Sequence, residues 1–103
     1  MDPWEALNPG NFSYNQNLEE SEIYLQGQTR AFVDHYSMLY PKEDRARILE
    51  NAMLPGKKDL FQSEYMQRKL TALCTGIREA YGLKKHPEVL PWEQYLINPL
   101  VPE

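Results

Sequence analysis

The chain has 103 residues, 42% of them apolar and 25% charged, with a formal net charge of −4 and a pI near 5.2. That size and composition fit one domain with a modest core, and the acidic balance argues against nucleic acid or an anionic membrane as the main partner. The single cysteine, Cys74, excludes an internal disulfide and a cysteine-based zinc site. No apolar run approaches the roughly 18 residues a membrane span needs. With Asp2 and Glu5 at its start, the chain shows neither the basic nor the apolar stretch of a signal peptide, and its cellular address stays open.

Residues 1–22 read as an irregular arm. "NPGNFSYNQN" sets Asn, Pro, Gly and Ser around the aromatic anchors Trp4, Phe12 and Tyr14, and aromatic residues in a polar loop imply that the loop lies flat on a larger body. From Glu19 to Tyr40 the pattern is mixed. Gly27 interrupts the first half, where irregular chain or a short strand is expected. Ala31, Phe32, His35, Tyr36 and Leu39 then show helical spacing, which predicts a short helical or turn segment through Ser37.

A helix is predicted over about 41–53. Pro41 suits its first position, and Glu43 and Asp44 in the first turn complement its dipole. Ala46, Leu49 and Met53, supported by Ala52, are its expected buried stripe, and "LPGKKD" stops it. A longer helix is predicted over about 59–81, with Met66, Leu70, Leu73, Ile77 and Tyr81 at steps of three and four residues. Gly82 is its expected terminator, with Lys84 and Lys85 just beyond its negative end. The tail, 83–103, carries four prolines and reads as an extended arm anchored by Trp92, Tyr95 and Leu96. The expected fold is mainly α, a helical hairpin with long irregular arms.

Glu43 has two readings. It can complement the dipole and pair with Arg47 four residues on, a spacing worth a few tenths of a kcal/mol on a solvated face. It can also point partly inward, since Ala46 on the same side is expected to be buried, and a buried carboxylate needs a cation or donors. Among the other chemistry-bearing residues, His35 is read as packing or hydrogen-bonding in its turn. His86, before Pro87, is read as a loop residue. Cys74 is read as a core thiol, and Asp44 beside Arg45 as a common surface pair with no role.

"FVDHYSMLYPKEDRARIL" resembles the region that follows the zinc-binding helix in glutamate-ligand zinc metallopeptidases, the gluzincins, with an F-V-x-x-Y-(A/S)…E-D-x-A-E pattern. It is more distantly similar to the protease domain of anthrax lethal factor. The resemblance extends more loosely to "NPGNFSY" and "LCTGIREAYG". It implies that Glu43 is the third zinc ligand, that Tyr36 helps stabilise the tetrahedral intermediate, and that Ala46 is the small residue allowing close helix packing. In such enzymes two histidines of an H-E-x-x-H helix complete the ligand set, and the metal lowers the pKa of its water.

The chain departs from that pattern in two ways. It contains no H-E-x-x-H, with His35 and His86 as its two histidines, and Arg47 stands where the family has its second Glu. The resemblance therefore implies a single partial domain, the C-terminal subdomain of a zincin-like peptidase. Such a piece would be inactive alone, would not hold zinc tightly, and would act on a peptide or protein substrate only in the full-length enzyme. The alternative is a non-enzymatic helical interaction module or degenerate relative that meets partners through Trp4, Trp92 and Tyr95. Self-association through the aromatic arms is open under either reading.

Overall fold

Two helices placed side by side organise the chain, as a computed structural model describes it for residues 3–10, 12–19 and 29–102. α1 spans Pro41–Ala52 and α2 spans Glu64–Ala80. They form the helical hairpin expected from the periodicity. Short 3-10 turns at Glu5–Leu7, Thr29–Ala31, His35–Met38, Lys58–Phe61 and Pro91–Glu93 punctuate the arms and the connection. No strand occurs among the described residues. The strand or irregular segment expected ahead of Ala31 falls largely on residues 20–28, outside the described residues. No described helix is long and apolar enough to cross a membrane.

The helix ends follow local rules. Tyr40 is extended and Pro41 takes the first position of α1. Ser63 caps α2 by accepting the Met66 N–H at 3.1 Å and donates its own hydroxyl to the Arg30 carbonyl at 2.6 Å. At the other end Gly82, at φ 68°, adopts the left-handed conformation that side chains disfavour. The Leu83 N–H reaches back to the Arg78 carbonyl at 2.7 Å and the Gly82 N–H to that of Glu79 at 3.4 Å, which is a Schellman closure. The turn His35–Met38 is capped by Asp34, whose carboxylate accepts the Ser37 N–H at 3.1 Å.

The core corrects the expected stripe of α1. Asp44, Ile48 and Ala52 are its buried residues. Ala46 is exposed, Met53 is 55% exposed and Leu49 lies half-buried. The inward face is rotated by about one residue because Ile48, not Leu49, packs with Phe61, Met66, Leu70 and Cys74. On α2 the expected Met66 and Leu70 are buried, with Leu73 and Ile77 half-buried, while Tyr81 is 76% exposed. Lys69, Cys74 and Arg78 complete the inward face.

Both arms lie on this hairpin. Trp4, Leu7 and Tyr14 from the N-terminal arm and Trp92, Tyr95 and Leu96 from the C-terminal arm join the main cluster. Phe12, Phe32 and Tyr14 form a second, aromatic cluster, with ring centroids of Phe12 and Phe32 4.5 Å apart. The aromatic anchors are thus spent inside the molecule. The tail is not fully extended, because the Glu93 carboxylate accepts the Leu90 N–H at 3.0 Å and closes the turn Pro91–Glu93.

Candidate functional site

Tyr36 and Glu43 are both in contact with Arg47. The Arg47 guanidinium lies 5.1 Å from the Tyr36 ring centroid. Its Nε is 3.4 Å from Glu43 Oε1, and a terminal nitrogen is 3.6 Å from Asp34 Oδ2. Tyr36 is 55% exposed and the Glu43 side chain 39% exposed, so the inward reading of Glu43 does not hold. Arg47, which stands where the gluzincin pattern has its second Glu, is the residue that engages Glu43. The His35 ring leans on Tyr36 and sets Nε2 against the Leu18 carbonyl. Two carboxylates and a phenol gathered around a guanidinium do not compose a zinc donor set. Among the described residues no group of three or more His, Cys, Asp or Glu is placed to hold a metal ion.

The inward carboxylate of the first turn is the next residue, Asp44, corrected here from its reading as a surface residue. Asp44 and Lys69 are both 0% exposed and their charged atoms are 2.7 Å apart. Asp44 Oδ2 also accepts from Trp4 Nε1 at 3.1 Å and from the Tyr14 hydroxyl at 2.7 Å. Lys69 donates further to the Ala31 carbonyl at 2.6 Å and places Nζ 3.7 Å from the Phe32 ring centroid. Burial pushes the Asp44 carboxyl above the ordinary aspartate range, while Lys69, Tyr14 and Trp4 pull it back part of the way. Burial lowers Lys69 against the opposing pull of Asp44, and burial raises the Tyr14 phenol. Two buried acceptors here lack partners, Asp44 Oδ1 and Asn8 Oδ1, although the Asn8 amide donates to Tyr14 at 3.0 Å.

A second buried pair holds the other arm. Arg78 meets Glu93 through two nitrogens, at 2.6 and 2.9 Å. It also donates to the carbonyls of Leu83, His86 and Glu88 at 2.9–3.0 Å. The Arg78 guanidinium holds Glu93 below the usual glutamate range. Cys74, buried between these elements, has its thiol pushed up to about 12, chiefly by burial, which suits an inert core thiol.

Sequence reasoning missed Asp44 and Lys69. The available signal was a lysine on the apolar stripe of α2, between Met66 and Leu73, which calls for a buried anion on the facing element.

Hollows mark the surface of the described residues. One, of about 650 Å³, is lined by Leu7, Ala72 and Ile97 together with the polar side chains Glu64, Gln67 and Arg68. These are already paired, with Gln67 donating to the Phe61 and Tyr95 carbonyls. A hollow of about 460 Å³ lies between the outer faces of the two helices and is walled by Leu49, Met53, Ile77, Tyr81, Leu83 and Trp92. A third, of about 250 Å³, shares Ile77 and Tyr81 with it and runs on toward Leu73, Arg45 and Trp4. Between them α2 presents Ala72, Gly76 and Ala80, all exposed. Comparison with protein-family models, with curated proteins and with solved structures finds no match.

Proposed function

We propose that the chain is a non-enzymatic helical interaction module, and that the groove between the outer faces of α1 and α2 takes an amphipathic helix with a basic polar face. The observation that carries this reading is the apolar groove itself. Met53 and Tyr81, at 55% and 76% exposure, stand at its wall with aliphatic and aromatic surface that the fold leaves uncovered. Its two hollows share Ile77 and Tyr81 and follow α2 from Ala72 to Tyr81, roughly 14 Å at 1.5 Å per residue. The small side chains of Ala72, Gly76 and Ala80 leave that surface low, which suits a second helix lying along it. The chain's net charge of −4 favours a basic partner over an acidic one.

Selection from a displayed library of helical peptides tests the reading. Enriched sequences should carry apolar residues at three- and four-residue steps with Lys or Arg opposite, and should lose at least tenfold in affinity to the surface variants Met53→Glu and Tyr81→Glu. Binders indifferent to both substitutions, or no enrichment of such helices, would overturn it.

The second reading keeps the gluzincin resemblance, with Glu43 as third zinc ligand and Tyr36 as its helper in a larger peptidase acting on peptide substrates. Its support is that Tyr36 and Glu43, both open to solvent, each contact Arg47. Arg47 would have to leave Glu43 for that role. Protein isolated from its source with stoichiometric zinc that Glu43→Gln removes would support this reading. Zinc content unaffected by the substitution, or no zinc, would sink it.

A further inference from the structure

The N-terminal arm is fastened in an unusual way. Among the described residues one backbone hydrogen bond joins it to the rest of the chain, from the Asn15 N–H to the Met38 carbonyl at 3.1 Å. Its other ties include an exposed Tyr40–Gln16 contact at 2.8 Å and the Leu18 carbonyl against His35. Two buried side-chain hydrogen bonds of the arm meet at one atom, Asp44 Oδ2, which takes both the Trp4 indole and the Tyr14 hydroxyl, and the Arg45 guanidinium lies over the Trp4 ring, 5.6 Å from its centroid.

The same joint is imperfectly sealed. Asn8 Oδ1 on the arm and Asp44 Oδ1 on α1 are both buried and without partners, and each such acceptor costs on the order of 1–3 kcal/mol of unrecovered hydration. Lifting the arm would hydrate both. The hairpin beneath has its own fastenings, because Ile48 and Ala52 of α1 pack with Met66, Leu70 and Cys74 of α2 and the Asp44–Lys69 pair joins the two helices directly.

From this geometry we infer that residues 3–10 and 12–18 form a displaceable strap, latched by Asp44, which lifts as a unit while α1 and α2 stay folded. Trp4 is also a wall of the smaller hollow, so lifting the strap opens that end of the groove between the helices. The strap is thus a built-in cover for apolar surface on α1 and α2. This inference goes beyond the proposed function and does not need it, since the opening is a property of the free chain.

Native-state hydrogen exchange by NMR tests it on the full chain at low denaturant concentrations. Two protons report the strap: the Asn15 amide on Met38 and the Trp4 indole N–H on Asp44. They should exchange at a common rate, at least tenfold faster than the amides of Leu70, Leu73 and Cys74 in α2. Asp44→Asn should quicken both further and leave the ratio among the α2 amides unchanged; if that variant does not fold, the wild-type rates decide alone. Exchange of both protons only at the α2 rate would mean that the arm leaves only in global unfolding. Exchange of the two at unrelated rates would mean that no unit exists. Either result overturns the strap.

Discussion

The two arms of this molecule solve the same problem with different chemistry. The C-terminal arm is held by Arg78, whose fork binds Glu93 twice and three backbone carbonyls besides. Of its other anchors, the Tyr95 hydroxyl meets the Leu54 carbonyl and accepts the Lys57 N–H at 3.0 Å, and Gln94 donates to the Ala52 carbonyl at the end of α1 at 2.8 Å, while the buried Trp92 Nε1 has no partner. The N-terminal arm instead brings its Trp4 and Tyr14 donors to one oxygen of Asp44, with the acceptors Asp44 Oδ1 and Asn8 Oδ1 unpaired beside it. A planar guanidinium can distribute donors over a loop and so fixes its whole path. A carboxylate that collects donors on one oxygen gathers them at a single point. One arm is built as a clamp and the other as a latch.

The largest expected effect breaks the latch. Asp44→Asn should cost about 1–3 kcal/mol in urea unfolding, because it sets an NH2 donor at the position of Asp44 Oδ1, where no hydrogen-bond partner stands. The double variant Asp44→Asn/Lys69→Met should be more stable than the single one. If the two substitutions instead add, the pair is not coupled and the reading of this knot is wrong.

Breaking the clamp comes next. Arg78→Met should free the tail so that protease cuts first between Leu83 and Pro91, with circular dichroism still reporting α2. Simultaneous loss of helix and tail would show that the clamp and the hairpin are one cooperative unit.

The pH dependence sharpens the contrast, since the two carboxylates carry opposite signs. Glu93 is held below its ordinary value, so its contribution is present above about pH 4.3 and is lost as pH falls through its lower folded value. Thermal melts of wild type and Arg78→Met should therefore converge in acid. Asp44 is raised by burial, so its own ionisation lowers stability as pH rises through the window just above the ordinary aspartate range. Acid should loosen the tail without a matching loss at the Asp44 joint. The smallest effect belongs to Glu43→Gln, which removes a half-exposed pair with Arg47 and should change stability by under about 0.5 kcal/mol. A loss of several kcal/mol would mean that Glu43 does more than face solvent.

Much of the fold was legible in the sequence. Pro41, the first members of the α2 stripe, Met66 and Leu70, and Gly82 all carry their meaning within a few residues, and the structure follows them. The arms were legible as covering segments, because aromatic residues in polar loops need a surface to lie on. What failed was the rotation of α1. Leu49 and Ile48 are adjacent and both aliphatic, and choosing the first as core turned Asp44 outward and Glu43 inward. The choice depends on what α1 meets, namely Phe61 and α2, and the spacing within α1 does not encode that. The groove was legible only in part. Leu49, Met53, Ile77 and Tyr81 were marked as apolar and assigned to the interior, whereas the fold leaves part of that surface uncovered.

Each arm carries one tryptophan, Trp4 or Trp92, and this permits the most direct test of latch against clamp. Fluorotryptophan-labelled wild-type protein, titrated with urea and followed by fluorine NMR, reports the two arms separately in the same sample. The account predicts that the Trp4 resonance reaches its unfolded position at lower urea than the Trp92 resonance, which should move with the helical signal. Coincident transitions for Trp4, Trp92 and the helices would contradict it, and would mean that both arms are equal parts of one cooperative fold.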